Sequence, residues 1–320
     1  MRILIAESEG FSQKALTLLR SRHHVIAGNY DRPDLLKTLE DVEVLWVRLR
    51  FLIDRELLES APRLKFLISN ATGLTHIDLA ELRRRGIRLL SLKGEAQFLK
   101  DVRATAEHTM ALLLALVRHI PAAAQHAVQG RWERGLFKGE ELFGKTMGIV
   151  GYGRLGRIVA RYARGFGMRV CASDPSVTAE SADADIELLP LWSLLERSDV
   201  VSLHASLDAS NRCFFGREEF FRMKPHAWFI NTARGELIDE AALLAVLESG
   251  RLAGAALDVL TSEQSEALPA NPLIAYSKTH PNLLITPHIG GCTIESFEKT
   301  EMYLAGKFMH TVEEEIPGNR

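Results

Sequence analysis

Cysteine is scarce in this chain: Cys171, Cys213 and Cys292 are the three in 320 residues. Three scattered thiols make neither a disulfide framework nor a metal site, so no metal is expected. They suit a reducing cytosol, and the expected compartment is the cytoplasm. An excess of one charge is also missing. Lys and Arg number 39 against 41 Asp and Glu, a net charge of −2. That balance points to neither a nucleic-acid nor a membrane surface. The densest basic run, Arg83-Arg84-Arg85, precedes Gly86, where cations suit the carbonyl end of a helix. Long apolar runs are absent too. The longest, Met110–Val117, has eight residues, too short for a bilayer span, and reads as a buried helix. Met1–Ala6 is too short an apolar stretch for a signal peptide and reads as a strand. There is no repeat at a solenoid period and no low-complexity tract.

What is present is ordinary globular composition, 47% hydrophobic and 25% charged, with length enough for two domains. The first third alternates. Strands are predicted at Arg2–Ala6, His24–Ala27, Val42–Val47, Leu64–Ser69 and Ile87–Ser91, with helices at Ser12–Arg20, Asp34–Glu40, Asp54–Ser60 and Ile77–Arg85. Such alternation argues for a parallel sheet covered on both faces. The pattern then changes. One long helix is predicted over Asp101–Ile120, stopped by Pro121, then a second over Ala122–Gln129 and an irregular stretch, Trp132–Gly144. Alternation restarts at Thr146, with strands predicted at Thr146–Val150, Arg169–Ser173, Ile186–Leu188, Val200–His204, Trp228–Asn231, Gly254–Asp258 and Leu283–Thr286. The helices of this part fall at Leu155–Phe166, Leu191–Arg197, Glu240–Glu248 and Thr293–His310.

The apolar run Thr146–Val150 leads into Gly151-Tyr152-Gly153-Arg154-Leu155-Gly156 and then into helical spacing. Strand, G-x-G-x-x-G turn and helix together are the context in which this motif means dinucleotide binding. Gly151 allows the tight turn, Gly153 lets a pyrophosphate approach, and Gly156 lets helix and strand pack. The helix start, with Arg154 and Leu155, offers free N–H groups to phosphate. A second strand ends at Asp174, whose carboxylate suits a ribose diol and repels a 2′-phosphate, so NAD is expected over NADP.

Other strands of this second region also end in polar residues: His204; Asn231-Thr232-Ala233-Arg234-Gly235; Asp258, with Glu263 beyond it; and Thr286-Pro287-His288-Ile289-Gly290-Gly291. Ligands bind outside the carboxyl ends of strands in open α/β sheets. Each residue has a plainer reading, as a satisfied core histidine, an ion-paired arginine or a solvated loop acid. Together they make an acid/base set: a proton donor, a carboxylate to hold it, and a cation for a substrate anion.

With these stretches and Ala106-Glu107-His108-Thr109 in place, the chain resembles the D-isomer-specific 2-hydroxyacid dehydrogenases over nearly its whole length, without the C-terminal regulatory domain of many phosphoglycerate dehydrogenases. The resemblance implies an α/β protein. A flavodoxin-like parallel substrate domain would comprise residues 1–100, completed by 290–320. A Rossmann NAD-binding domain would comprise 101–289, with a cleft between the two. It implies hydride transfer between NAD and C2 of a D-2-hydroxy acid or 2-oxo acid. The catalytic Arg, Glu and His fall on Arg234, Glu263 and His288. Arg234 and His288 would also contact substrate, whose carboxylate would meet backbone N–H groups at Thr72-Gly73. Asp258 would hold the nicotinamide carboxamide, and the cofactor set would include His204, Thr232, Ala233, Arg234, His288 and Gly290. The sequence departs from the family at Thr75, where many members are acidic, across Ser91–Phe98, and at Gln264, where proline usually follows the catalytic Glu; Glu266 is a nearby competitor. A rival reading is a corepressor-like, dinucleotide-binding interaction module.

Two further expectations concern substrate and assembly. Arg48 and Arg50 follow a predicted strand and share one side of an extended chain. They would bind a second anionic or strongly polar group on the substrate, with Lys93 and Lys100 adding to the field; the alternative is pairing with Asp54 or Glu56. The Asp101–Ile120 helix is apolar all round and needs burial on more than one side. Burial within one subunit would serve, but the resemblance implies a homodimer through this helix and the Trp132–Leu142 arm.

Overall fold

The structure, a computed structural model, describes residues 1–261 and 263–315. The last residues of the expected 290–320 segment, and Ser262, lie outside the described residues. The chain divides into two compact units, Met1–Val102 with the segment from Cys292 onward, and Arg103–Gly291.

The first unit holds strands β1 (Arg2–Ile5), β2 (His24–Ala27), β3 (Val44–Val47), β4 (Phe66–Ser69) and β5 (Arg88–Ser91). They form a parallel sheet in the order β2-β1-β3-β4-β5, the flavodoxin-like order. Alternate residues feed opposite cores. Ile3, Ile5, Trp46 and Ile68 pack with Phe11, Leu16 and Phe308, while Leu4, Leu45 and Leu67 pack with Leu35, Leu57 and Leu82. Burial on both faces explains why β3 reads as an unbroken apolar run. Leu304, Ala305 and Phe308 come from the last helix, Ile294–Glu315, which thereby completes this unit's core. The helix expected at Asp34–Glu40 begins earlier, at Arg32, because Asp31 accepts from Asp34 N and Pro33 fits the first turn.

The second unit holds β6 (Thr146–Val150), β7 (Arg169–Ser173), β8 (Glu187–Leu188), β9 (Val200–Leu203), β10 (Trp228–Asn231), β11 (Gly254–Leu257) and β12 (Leu283–Ile285). Their order, β12-β11-β10-β9-β6-β7-β8, is doubly wound, and all neighbours run parallel. The order reverses at β6, the topological switch point where such sheets bind ligands. The long helix expected over Asp101–Ile120 is shorter, Ala104–Val117. His119, at φ 53, breaks it, and Ile120–Val128 leaves at a bend of 63°. Neither helix is long and apolar enough to cross a membrane, and no other single described helix is. The short helices Ala96–Leu99, Arg217–Arg222 and Pro272–Ser277 were not expected from the sequence.

Candidate active site

The glycine loop follows β6 directly. Gly151 has φ +94, and a Cβ there would strike the backbone of His204 and Ala205 at the end of β9. A Cβ on Gly156 would strike the Gly151 carbonyl. Both positions therefore demand glycine, one for close strand approach and one for helix packing. At Gly153, the residue that caps the helix Arg154–Gly165, a Cβ would meet open space. That is room for a phosphate at a helix N-terminus. Burial lowers the pKa of the half-buried Arg154 guanidinium beside it. Asp174 follows β7. One of its oxygens accepts from Tyr152 N of the glycine loop at 2.8 Å and the other from Ser176 N at 2.8 Å. The carboxylate is thus anchored where a ribose would lie next to a phosphate held by the loop.

After β10, the Asn231 side chain clamps the next loop. Its amide donates to Arg234 O at 2.9 Å and its carbonyl accepts from Ala233 N at 2.9 Å. Thr232 is tied to Thr109 through their hydroxyls at 2.9 Å. Arg234 donates to Ala233 O at 2.5 Å. Burial lowers its pKa, while Glu263 and Glu236 pull the other way.

After β11, Asp258 is almost fully buried. Its carboxylate accepts from Thr286 Oγ1 at 2.6 Å, Ile289 N at 2.9 Å and Gly290 N at 2.8 Å, and meets His108 Nε2 at 3.2 Å. Burial alone would raise this carboxyl's pKa, but those donors outweigh it and hold the pKa below the usual range. The turn that Asp258 organises carries His288, whose own N–H donates to Asp258 O at 2.9 Å and whose φ is 54. His288 Nδ1 meets Glu263 Oε1 at 2.5 Å. Glu266, the competitor, is exposed.

His204 ends up beside the glycine loop, its Nε2 2.8 Å from Ser202 Oγ and its Nδ1 buried without a hydrogen-bond partner. Burial brings its pKa down to about 4, so it stands neutral. His108, within the Ala106–Thr109 stretch, carries no local signal of a role of its own, because its partner Thr286 lies 178 residues along the chain.

In the first unit, Thr72 and Gly73 lie in the loop after β4. Among the described residues no hydrogen bond engages their N–H groups. Arg48 corrects the expectation that it waits for a substrate anion. Its Nε and Nη2 both donate to Glu301 Oε1, at 3.2 and 2.7 Å, and its Nη1 donates to Glu9 O at 2.8 Å. The guanidinium also lies 3.9 Å from the ring centroid of Phe297. All three nitrogens are used. The alternative partners, Asp54 and Glu56, are instead taken by Arg32, at 2.7 and 2.8 Å. Arg50 differs: its guanidinium makes one long hydrogen bond, 3.3 Å to Tyr30 O, and is exposed. Among the described residues no group of three or more His, Cys, Asp and Glu could hold a metal ion.

Known proteins resemble this chain in sequence and in fold. The family described as "D-isomer specific 2-hydroxyacid dehydrogenase, NAD binding domain" matches residues 110–290. The hydroxypyruvate reductase of Thermotoga maritima is 32% identical over 308 residues, covering 96% of this chain and 97% of the relative. The D-3-phosphoglycerate dehydrogenase of Mycobacterium tuberculosis is 35% identical over 288 residues and 87% of this chain, but this chain spans only 52% of its length. Among solved structures, the TT0316 protein of Thermus thermophilus is 36% identical, with a TM-score of 0.83 and coverage of 100% and 99% of the two chains. These relatives favour the enzyme over the interaction module. On fold, motif and relatives together, the chain belongs to the D-isomer-specific 2-hydroxyacid dehydrogenases, a family of NAD-dependent oxidoreductases.

Proposed function

We propose that this protein reduces a 2-oxo acid to the D-2-hydroxy acid with NADH, using Arg234, Glu263 and His288. The observation that carries the reading is the His288–Glu263 contact of 2.5 Å. Bound NADH supplies the hydride for C2. His288 gives its Nε2 proton to the developing alkoxide, because Glu263 occupies Nδ1 and fixes the ring. Arg234 binds the carbonyl and carboxylate oxygens in a forked geometry that lysine lacks. The Thr72-Gly73 backbone N–H groups receive the carboxylate. Gly151, Gly153, Arg154, Leu155 and Gly156 hold the pyrophosphate, and Asp174 holds the ribose. Asp258, with His204, Thr232, Ala233 and Gly290 around it, faces the nicotinamide end.

Arg50 supports a substrate with a polar group beyond the oxo acid, such as hydroxypyruvate or a phosphorylated 2-hydroxy acid, the substrate classes named for relatives in Thermotoga maritima and Mycobacterium tuberculosis. We further infer a cytoplasmic homodimer, supported by scarce cysteine and by the apolar surface of the second unit.

NADH oxidation against a panel of 2-oxo acids tests the reading. Steady turnover is expected. His288→Ala should cost about 10²–10⁴-fold. Glu263→Ala removes the group that holds Nδ1 and fixes the ring, so kcat should fall by about 10-fold or more. An unchanged kcat, or no turnover with any 2-oxo acid, would sink the assignment.

A further inference from the structure

We infer that His108 is a positioning residue for the reaction: from the helix Ala104–Val117 it braces the turn Thr286–Gly290 that carries His288. The inference rests on the catalytic reading of His288 given above.

The proton inventory assigns its tautomer. Thr286 Oγ1 lies 2.6 Å from Asp258 Oδ1 and donates to it, since a carboxylate held ionised offers no proton. The lone pairs of Thr286 Oγ1 are then what face His108 Nε2, 3.0 Å away. Asp258 Oδ1 is 3.2 Å from the same nitrogen. Both neighbours are acceptors, so Nε2 carries hydrogen and donates to both. One imidazole N–H thus closes a ring of Thr286, Asp258 and His108.

What the ring holds is a conformation that costs energy. A non-glycine residue at left-handed φ is strained and persists only where its surroundings over-determine it. His288, at φ 54, is such a residue. Asp258 fixes it from within, through its own carbonyl on His288 N and its carboxylate on Ile289 N and Gly290 N. His108 in turn fixes Asp258 and Thr286 from a separate element. The same helical turn reaches the second catalytic loop, because Thr109, buried beside His108, meets Thr232 Oγ1 at 2.9 Å. Two consecutive residues of one helix therefore register the Arg234 loop and the His288 turn against each other.

The test compares wild type with His108→Phe, which keeps the ring and removes the donor, and His108→Gln, which restores an N–H donor. Active-site concentration is measured by NADH titration so that a loss of folded protein is not read as a loss of rate. His108→Phe should lower kcat at least 10-fold while changing KM for the 2-oxo acid less than about 2-fold. It should also shift the His288 imidazole resonances in the NADH-bound enzyme. His108→Gln should recover most of the rate. A merely structural histidine would lower Tm and the active fraction, leaving kcat per site and the His288 resonances at wild-type values; that result overturns the inference. If wild type turns over no 2-oxo acid, the catalytic reading fails by itself. The His288 resonances and the NADH Kd then decide about His108: unchanged values in His108→Phe reject the brace, and shifted values keep it.

Discussion

The guanidinium of Arg48 and the carboxylate of Glu301 meet at 2.7 Å across 253 residues of sequence, and Glu301 is fully buried there. Its second oxygen accepts from Ser12 N at 2.6 Å, so one carboxylate ties the last helix to the ends of two other segments. Burial pushes the Glu301 carboxyl up, against the pull of Arg48. Removing either partner leaves the other's charge without its counter-ion, which at a buried site costs roughly 3–5 kcal/mol. Glu301→Ala should therefore lower the unfolding free energy by about that much in urea titration. Arg48→Met with Glu301→Met together should cost less than the two singles summed. Additive singles, or a Glu301→Ala cost below about 1 kcal/mol, would show that the pair is not what holds this helix.

Cofactor choice should depend on Asp174. Tyr152 N and Ser176 N anchor its carboxylate beside the glycine loop. NADPH should be used at least 10-fold less efficiently than NADH by kcat/KM. Asp174→Ala should narrow that gap by weakening NADH and relieving the repulsion of a 2′-phosphate. Equal efficiency with both cofactors in the wild type would remove Asp174 from the cofactor set.

Acid should weaken the second unit through His204. Burial lowers its folded pKa to about 4, from an ordinary 6.5. Between those values the unfolded chain binds the proton that the folded one refuses. Stability is therefore full above about pH 6.5 and falls as pH drops towards 4, by up to roughly 3 kcal/mol. His204→Gln should lose less unfolding free energy than wild type between about pH 7 and pH 4.5. Parallel losses in the two proteins would refute the argument.

Much of this was legible in the sequence, for a physical reason. Buried parallel strands read as short apolar runs, so β1 through β12 lie within about two residues of their expected places. The polar residues that end β10 and β11 stood out because apolar runs preceded them. The helices that escaped notice carry weak signals. Arg217–Arg222 buries Phe220 alone, and Pro272–Ser277 is short, its start set by Asn271 accepting from Leu273 N. Glu301 and His108 were illegible for another reason. A buried carboxylate on a charged helix looks like any surface acid until its partner is known. His108 and Thr286 are 178 residues apart, and no local pattern joins them. Spacing reveals side chains that act beside their own strand, but not those whose meaning comes from a distant partner.

Assembly is the last expectation, and the second unit's surface argues for it. The helix Ala104–Val117 buries Ala106, Met110, Leu112, Leu113, Leu116 and Val117 within the chain. Most of its apolar surface is thus already covered. What remains uncovered is one side of it, where Ala111 and Leu114 line an apolar groove with Tyr162 and Phe166. The following arm leaves Val128 88%, Trp132 87% and Leu136 66% exposed, and Phe143 is 78% exposed. Scattered exposed apolar residues are ordinary; several large ones in one arm mark an interaction surface. A second copy of the chain presenting the same arm is the simplest occupant, because two-fold pairing makes a patch self-complementary. Burying these side chains would favour a pair by ~25 cal/mol per Å² of apolar area removed from water. Light scattering should show a mass near twice 35.7 kDa at micromolar concentration. Trp132→Glu with Leu136→Glu should shift it towards the single-chain mass while leaving the far-ultraviolet circular dichroism unchanged. A wild-type protein that scatters as one chain would mean that this arm serves some other partner or none.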